Sequence, residues 1–221
     1  MARHIRVLAA AMLWFAVAPG RGEAHLPIPS GLAALLRDAR VWRAGFLFGS
    51  QSISYFTSST WIPFLVASRG PSYLALVFSA LSIALIIPSL LLVAVHWSYP
   101  TSRLYYMLAG VLMTIGGFGL AQGLVDLAWV FAFLLGLGSS MTFLGAMATP
   151  SLLAHRDSEV VGFSALMLAV GYAISFVGSL LGGILVDRTH VLTAPFWVVA
   201  LSGVVVLLLG ATLPGRAENT Q

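Results

Sequence analysis

A run of hydrogen-bonding side chains between residues 50 and 60 is the part of the sequence best suited to bind a ligand. Nine of its eleven residues, SQSISYFTSST, are Ser, Gln, Thr or Tyr, although the flanking sequence is apolar. Helical spacing would align Gln51, Tyr55 and Ser58 and place Ser59 beside them, so that one helix face offers amide, phenol and hydroxyl groups. In a membrane, such groups predict the wall of a substrate cavity at mid-depth. The alternative is hydrogen bonding between helices, which small polar residues also provide in membranes.

Small and polar residues recur in two later segments. Between residues 136 and 149, Gly, Ser and Thr are frequent, and this pattern fits close helix approach as well as a cavity lined by Thr142. Between residues 171 and 182, four small residues with i, i+4, i+7, i+11 spacing indicate a seam for helix packing. Tyr172 lies beside this seam, and its polar hydroxyl makes it a further candidate for the cavity. The seam consists of Gly171, Ser175, Gly178 and Gly182.

No pattern in the sequence indicates an enzyme, a cofactor or a metal site. The chain has no Cys, which excludes disulfides and thiolate chemistry, and its His and carboxylate residues show no metal-ligand spacing. The Gly-rich stretches lack the Lys-Ser/Thr of a phosphate-binding loop. An intramembrane serine protease would need a G-x-S-G nucleophile and a His inside the membrane. The stretches GLGSS and GFSA do not fit that pattern, and His96 and His190 lie near predicted helix ends.

The composition predicts that the helices holding these residues lie in a membrane. Hydrophobic residues make up 59% of the 221 residues and charged residues only 8%, against about 25% charged residues in soluble domains. Six apolar runs are long enough to cross a hydrocarbon core as helices, the third being at the short end of the range. Because unpaired backbone groups are costly in lipid, we predict an all-α membrane protein with six transmembrane helices. The runs cover residues 44–67, 73–96, 104–121, 127–153, 160–186 and 191–213.

The charged residues lie at the ends of these runs and predict an orientation. No Asp, Glu, Lys, Arg or His falls in the interior of a run, so this part of the protein supplies no proton relay. With both termini in the cytoplasm, seven Arg lie on the cytoplasmic side and two in outer loops, as expected for a multi-pass protein of the cell membrane. Because the Arg residues are dispersed at helix ends, we expect no nucleic-acid partner. The cytoplasmic group is Arg21, Arg37, Arg40, Arg43, Arg103, Arg156 and Arg216, and the outer group is Arg69 and Arg188.

The residues before the first run form two segments. The twelve apolar residues from Val7 to Ala18 are too few to cross the core, and we interpret them as the remnant of a longer, truncated helix. A signal peptide or anchor, or an interfacial helix, is the alternative. The following stretch predicts an amphipathic cytoplasmic linker along the membrane surface, with a peptide-binding role as the alternative. The predicted segments are therefore 1–20 (remnant), 21–43 (linker), 44–213 (six-helix bundle) and 214–221 (cytoplasmic tail).

Two stretches resemble the cyanate and nitroimidazole permease branch of the major facilitator superfamily. FGSQSISYFTSSTWIPFLV (48–66) resembles the seventh helix of that branch, with a Tyr four residues after the Gln and a terminal Trp-aliphatic-Pro. FSALMLAVGYAISFVGSLLGGILVDRT (163–189) resembles the eleventh helix, with Gly171-Tyr172 and a terminal Asp187. The resemblance covers residues 41–213 and implies one half of a major facilitator fold, built as a three-plus-three inverted repeat.

The resemblance also implies a function and a partner. Such permeases move solutes by alternating access at a mid-membrane site between two six-helix bundles. The chain would then transport a small neutral or weakly anionic organic solute together with a second six-helix bundle, from a separate chain or a second copy. A non-transporting membrane subunit and a truncated, inactive transporter fragment are the alternatives. The candidate substrate-binding residues are Gln51, Tyr55, Ser58, Ser59, Thr142 and Tyr172.

Overall fold

The computed structural model describes residues 32–94, 102–153 and 157–213. The predicted segment 1–20, the first part of the predicted linker and the predicted tail lie outside these residues. All regular structure that is described is helical, which confirms the prediction of an all-α chain. A six-residue helix, Leu32–Arg37, precedes six long helices. These are α1 (Ala39–Leu65), α2 (Pro71–Ala94), α3 (Arg103–Ala121), α4 (Ala128–Leu153), α5 (Asp157–Thr189) and α6 (Ala194–Ala211).

Capping residues fix the start of two helices. The carboxylate of Asp38 accepts a hydrogen bond from the backbone N–H of Arg40 at 2.8 Å and begins α1. The hydroxyl of Ser102 accepts one from the backbone N–H of Tyr105 at 3.4 Å and begins α3. Because the cap lies at Asp38, Arg40 and Arg43 belong to the first turns of α1, although the sequence placed them in the linker.

Among the described residues, five segments are long and apolar enough to cross a membrane, as a multi-pass membrane protein requires. Helix α1 does not reach that apolarity, although its 27 residues would extend about 40 Å. Its polar run lowers its hydropathy, so membrane crossing by α1 stays a prediction. The five segments are Pro71–Leu92, Arg103–Ala121, Val125–Leu152, Glu159–Thr189 and Ala194–Ala211.

Helices α1 and α4 lie at the centre of the bundle. Helix α1 packs along α4, α5 and α6, and α4 packs along α1, α2 and α3. The most extensive contact joins α3 and α6. At that contact, a Cβ on Gly117 would lie 2.6 Å from the backbone nitrogen of Ala200, and one on Gly203 would lie 2.5 Å from that of Thr114. The two backbones therefore approach so closely that only glycine fits at these positions.

The small-residue seam of α5 lies against α1. Gly171 faces the ring of Phe48, and Gly178 faces the side chain of Ile53. A Cβ at either glycine would lie within 2.5 Å of those side chains. The seam therefore has the packing role that its spacing predicted, and it holds α1 and α5 at a close distance.

Candidate functional site

The polar run of α1 divides between the bundle interior and an uncovered face. Gln51 is 8% exposed and Ser58 is fully buried, whereas Tyr55 is 39% exposed and Ser59 is partly exposed. Helices α4, α5 and α6 cover the rest of α1. The predicted cavity wall is therefore not continuous, because one of its hydroxyls, that of Ser58, points into the bundle.

Buried hydroxyls of the run hydrogen-bond between helices. The hydroxyls of Ser54 in α1 and Ser202 in α6 lie 2.8 Å apart. From α4, the Ser139 hydroxyl donates to the backbone carbonyl of Gln51 at 3.5 Å. Both contacts are hydrogen bonds between helices, the alternative role that the sequence left open for these residues.

Two adjacent hydroxyls of α1 have no hydrogen-bond partner in the described part of the chain. They belong to Thr57 and Ser58, and both residues are almost completely buried. A buried hydroxyl without a partner costs about 1–3 kcal/mol. The methyl group of Thr57 lies 3.7 Å from the position that a Cβ on Gly182 would take, so the Thr57 side chain is close to the seam of α5. Ser58 is thus enclosed by the bundle and does not contribute to the uncovered face.

Thr142 lies between α3 and α4. Its side chain is fully buried, its hydroxyl donates to the Gly138 carbonyl at 2.9 Å, and the same oxygen lies 3.5 Å from the sulfur of Met113 in α3. This contact directs the Thr142 side chain toward α3. The structure therefore gives Thr142 a place in the packing of α3 against α4, and its hydrogen-bond contacts are to Gly138 and Met113.

An aromatic cluster marks the place where α1, α4 and α5 meet. The ring of Phe48 is buried, with the ring of Tyr172 edge-on to it at 5.2 Å and the ring of Phe143 at 6.2 Å. Tyr172 is 53% exposed and Phe143 is 41% exposed. Tyr55 follows Phe48 by seven residues, so it lies on the same side of α1 about two turns away. We call the uncovered surface of Tyr55, Phe143 and Tyr172 the aromatic face.

Sequence reasoning found the two tyrosines of this face and missed the phenylalanines. Tyr55 is a candidate because it aligns with Gln51 and Ser58 in the polar run, and Tyr172 because it combines a ring with a polar tip beside the seam of α5. Phe48 and Phe143 carry no such signal, because phenylalanine is frequent throughout the chain. Their role depends on which helices become neighbours.

The aromatic face carries no charged side chain. Among the described residues, every Arg, Asp, Glu and His lies in a connection or in the first or last turns of a helix. The described part of the chain also contains no group of three His, Asp or Glu side chains that could hold a metal ion. The face can therefore offer phenol hydroxyls and aromatic rings to a ligand, but no ionic contact.

No protein-family model matches the chain, and no curated protein is significantly similar to it. The resemblance of two of its helices to permeases therefore remains a prediction.

Proposed function

We propose that the chain is one half of a membrane solute transporter and that the aromatic face lines one side of the substrate pathway. One observation carries the proposal. Helix α1 is the most polar of the long helices and central in the bundle, yet α2–α6 leave Tyr55, near its middle, uncovered. A phenol hydroxyl at mid-depth is poorly placed against lipid tails. A water-accessible pathway between two bundles would hydrate it.

The pairing of helices supports an inverted repeat of α1–α3 and α4–α6. Helix α1 packs on α5 as α4 packs on α2, and the third helices of the two triplets, α3 and α6, pair with each other. Glycines lie at the corresponding crossings: a Cβ on Gly45 would lie 2.8 Å from Val170, and one on Gly136 would lie 2.8 Å from Ala84. A two-fold axis in the membrane plane would exchange these contacts, as in transporters built from inverted repeats.

A second six-helix bundle would complete the pathway. In a single bundle the aromatic face stays open on one side, so we propose that a separate chain or a second copy of this chain covers it. The two bundles would rock about the site and open it to one side of the membrane at a time. The substrate would be a small neutral or weakly anionic organic solute, because the face presents hydroxyls and rings without a charged partner.

The charge of the two ends supports an orientation in the cell membrane. Successive long helices run in opposite directions, so the starts of α1, α3 and α5 share one end. The described side chains at that end include four Arg and two carboxylates, against two Arg and two carboxylates at the other end, which favours the first end as cytoplasmic. These residues are Arg37, Arg40, Arg43, Arg103, Asp38 and Glu159 at the first end, and Arg69, Arg188, Asp126 and Asp187 at the second.

Cysteine labelling tests whether the aromatic face is in contact with water. The chain has no Cys of its own, so single-cysteine variants give an unambiguous signal. Tyr55→Cys in proteoliposomes should react with a hydrophilic maleimide. Leu201→Cys, at a position 63% exposed on α6, should not react, because lipid would cover it. Protection of the first variant together with labelling of the second would refute the proposed pathway.

Solute flux, measured as a function of the number of chains in each liposome, tests whether the protein transports a solute. The purified chain is reconstituted in liposomes, copies are counted by single-molecule photobleaching, and uptake of small neutral and weakly anionic solutes is measured. We expect uptake only where two copies, or one copy and a second six-helix chain, are present. Robust uptake by single copies would contradict a half-transporter. A stable partner without any flux would favour a non-transporting membrane subunit.

A further inference from the structure

The first turns of α1 and the residues just before them, on the side proposed to be cytoplasmic, carry arginines for which the described residues supply no neutralising carboxylate. Asp38 binds the guanidinium of Arg40 at 3.0 Å, and the charge of Glu159 also acts on Arg40. Arg37 and Arg43 form no ion pair with the described residues. Arg37 is exposed, and Arg43 is partly exposed. Within the described part of the chain, these two guanidinium groups therefore have no carboxylate partner and can receive an external anion.

A tryptophan lies beside these arginines and fixes the local geometry. The indole N–H of Trp42 donates to the backbone carbonyl of Leu36 at 2.8 Å and so ties the short helix Leu32–Arg37 to α1. The indole is 41% exposed, which leaves much of the ring open while its polar group is satisfied within the chain. Tryptophan with this balance of ring and polar tip is enriched at the headgroup level of membranes.

Apolar side chains extend the surface from the tryptophan toward the membrane. Phe46 is exposed and follows Trp42 by one helical turn on the same side of α1, and Leu36 is exposed next to the indole. A free anion in water would gain nothing from such an apolar surface. A lipid would, because its phosphate and its acyl chain are held at a fixed distance from each other.

We propose that Arg37, Trp42, Arg43 and Phe46 bind the headgroup of an anionic phospholipid in the cytoplasmic leaflet. The two guanidinium groups bind the phosphate oxygens, for which their planar donor geometry is suited. The indole of Trp42 lies at the level of the glycerol backbone, and the ring of Phe46 contacts the start of an acyl chain. The inference rests on the proposed placement of α1 in the membrane with its first turns on the cytoplasmic side.

Lipid retention measured by native mass spectrometry tests this site. The full chain is extracted from vesicles that contain phosphatidylcholine and phosphatidylglycerol, and the retained lipids are counted. We expect the wild-type chain to retain phosphatidylglycerol preferentially. The double variant Arg37→Gln/Arg43→Gln should reduce this preference about ten-fold. The control Arg69→Gln/Arg188→Gln removes the same charge at the opposite end and should leave the preference unchanged.

Four results would overturn the site. Equal loss of preference in the control would mean that overall charge alone attracts the lipid. Displacement of phosphatidylglycerol by inorganic phosphate at equal concentration would mean that the site takes a free anion. Normal flotation of the chain with vesicles of both lipids, without preference for either, would remove the lipid site and leave the membrane placement intact. Failure to float with any vesicle would instead refute the membrane placement and the lipid site with it.

The double variant must also be shown to fold. Its circular dichroism and thermal unfolding in phosphatidylcholine alone should match the wild-type chain, because both arginines lie at the surface. If it does not fold, Arg37→Lys/Arg43→Lys keeps the charges and removes the two-pronged donor geometry. This second variant should retain a weaker preference for phosphatidylglycerol, and an undiminished preference would contradict recognition by the guanidinium groups.

Discussion

The hydroxyl of Ser54 in α1 donates to the hydroxyl of Ser202 in α6 across 2.8 Å, and both side chains are buried. The direction follows from the second contact of Ser202, whose single proton goes to the Val199 carbonyl at 2.7 Å. The central helix α1 is thus tied to α6 by a polar contact within an apolar environment.

Removing this contact should weaken the bundle measurably. Ser54→Ala is expected to lower the free energy of unfolding by about 1 kcal/mol, because the buried contact between the helices is lost. A double-mutant cycle with Ser202→Ala, measured by denaturation in mixed detergent, should give a coupling of about 0.6 kcal/mol. Ser79→Ala, at an exposed position of α2, serves as the control and should have little effect. A coupling energy of zero would show that the two hydroxyls do not interact.

The close contact of α3 and α6 predicts a strong dependence on glycine. In Gly203→Ala, the new methyl group would meet the backbone of Thr114, which cannot move aside as a flexible side chain would. We expect a loss of about 1–3 kcal/mol in the free energy of unfolding. Gly183→Ala in α5 is the matched control, since no atom lies within 4 Å of its Cβ position. Helix propensity should make that control neutral or slightly more stable, and equal losses in both variants would contradict the packing argument.

The positions of the helices could be predicted from the sequence, because each apolar run ends at a charge, a proline or a glycine. The predicted run 104–121 corresponds to α3, Arg103–Ala121, and the run 127–153 to α4, Ala128–Leu153. In lipid or in a protein core, the backbone N–H and C=O groups of such a run must hydrogen-bond to each other. The sequence pattern alone therefore predicts a helix there.

The neighbours of the polar residues could not be predicted in the same way. Helical periodicity placed Gln51, Tyr55 and Ser58 on one side of α1, but it does not say which other helices cover that side. Packing encloses Ser58 and leaves Tyr55 open. It also sets Thr142 against Met113 of α3, a contact that depends on tertiary structure and has no signal in the local sequence.

The cap at Asp38 predicts a dependence of stability on acid pH. Partial burial raises the pKa of Asp38, but hydrogen bonds from the side chain and backbone of Arg40, together with its charge, lower the pKa by more, so the pKa lies below its ordinary value. Because the pKa of Asp38 is lowered in the folded state, the contribution of its carboxylate to the free energy of unfolding is complete above the unfolded-state pKa, near 4. It is then lost as the pH falls through the folded-state pKa.

Asp38→Ala should therefore lower the free energy of unfolding by about 1 kcal/mol at neutral pH. The difference from the wild-type chain should shrink as the pH falls below about 4. Asp38→Asn keeps an acceptor for the backbone N–H of Arg40 without a charge, so it should stay closer to the wild-type chain at neutral pH. Thermal unfolding in detergent across this pH range gives the comparison, and a difference for Asp38→Ala that does not change with pH would contradict the role of the carboxylate.

Two contacts link the α3–α4 connection to the α1–α2 connection and the first turn of α2, and they should differ in strength. Arg69 forms an ion pair with Asp126, but both side chains are largely exposed. The Tyr73 hydroxyl is positioned to donate to the Val125 carbonyl at 2.6 Å in a partly buried environment. Arg69→Gln should change the free energy of unfolding by about 0–1 kcal/mol and less in high salt. Tyr73→Phe should cost about 1 kcal/mol regardless of salt. A larger, salt-insensitive effect of Arg69→Gln in chemical denaturation would reverse this order.

The aromatic face predicts that substrate affinity depends on the hydroxyls of Tyr55 and Tyr172. Phenylalanine at either position keeps the ring and its packing, including the edge contact of Tyr172 with Phe48. Because both residues are exposed, stability should change by less than about 0.5 kcal/mol. A lost hydrogen bond to substrate should raise the KM for solute flux by about five- to ten-fold.

Tyr73→Phe is the matched control for these substitutions. It also removes a phenol oxygen, but Tyr73 lies in the first turn of α2, at the end of the bundle. It should lower stability and leave the KM unchanged, whereas Tyr55→Phe and Tyr172→Phe should raise the KM and leave stability unchanged. This opposite pattern separates binding from folding, since a purely structural role would alter both readouts together. If the KM is unaffected in both aromatic-face variants while flux persists, the solute does not use their hydroxyls, and the substrate pathway must lie elsewhere in the bundle.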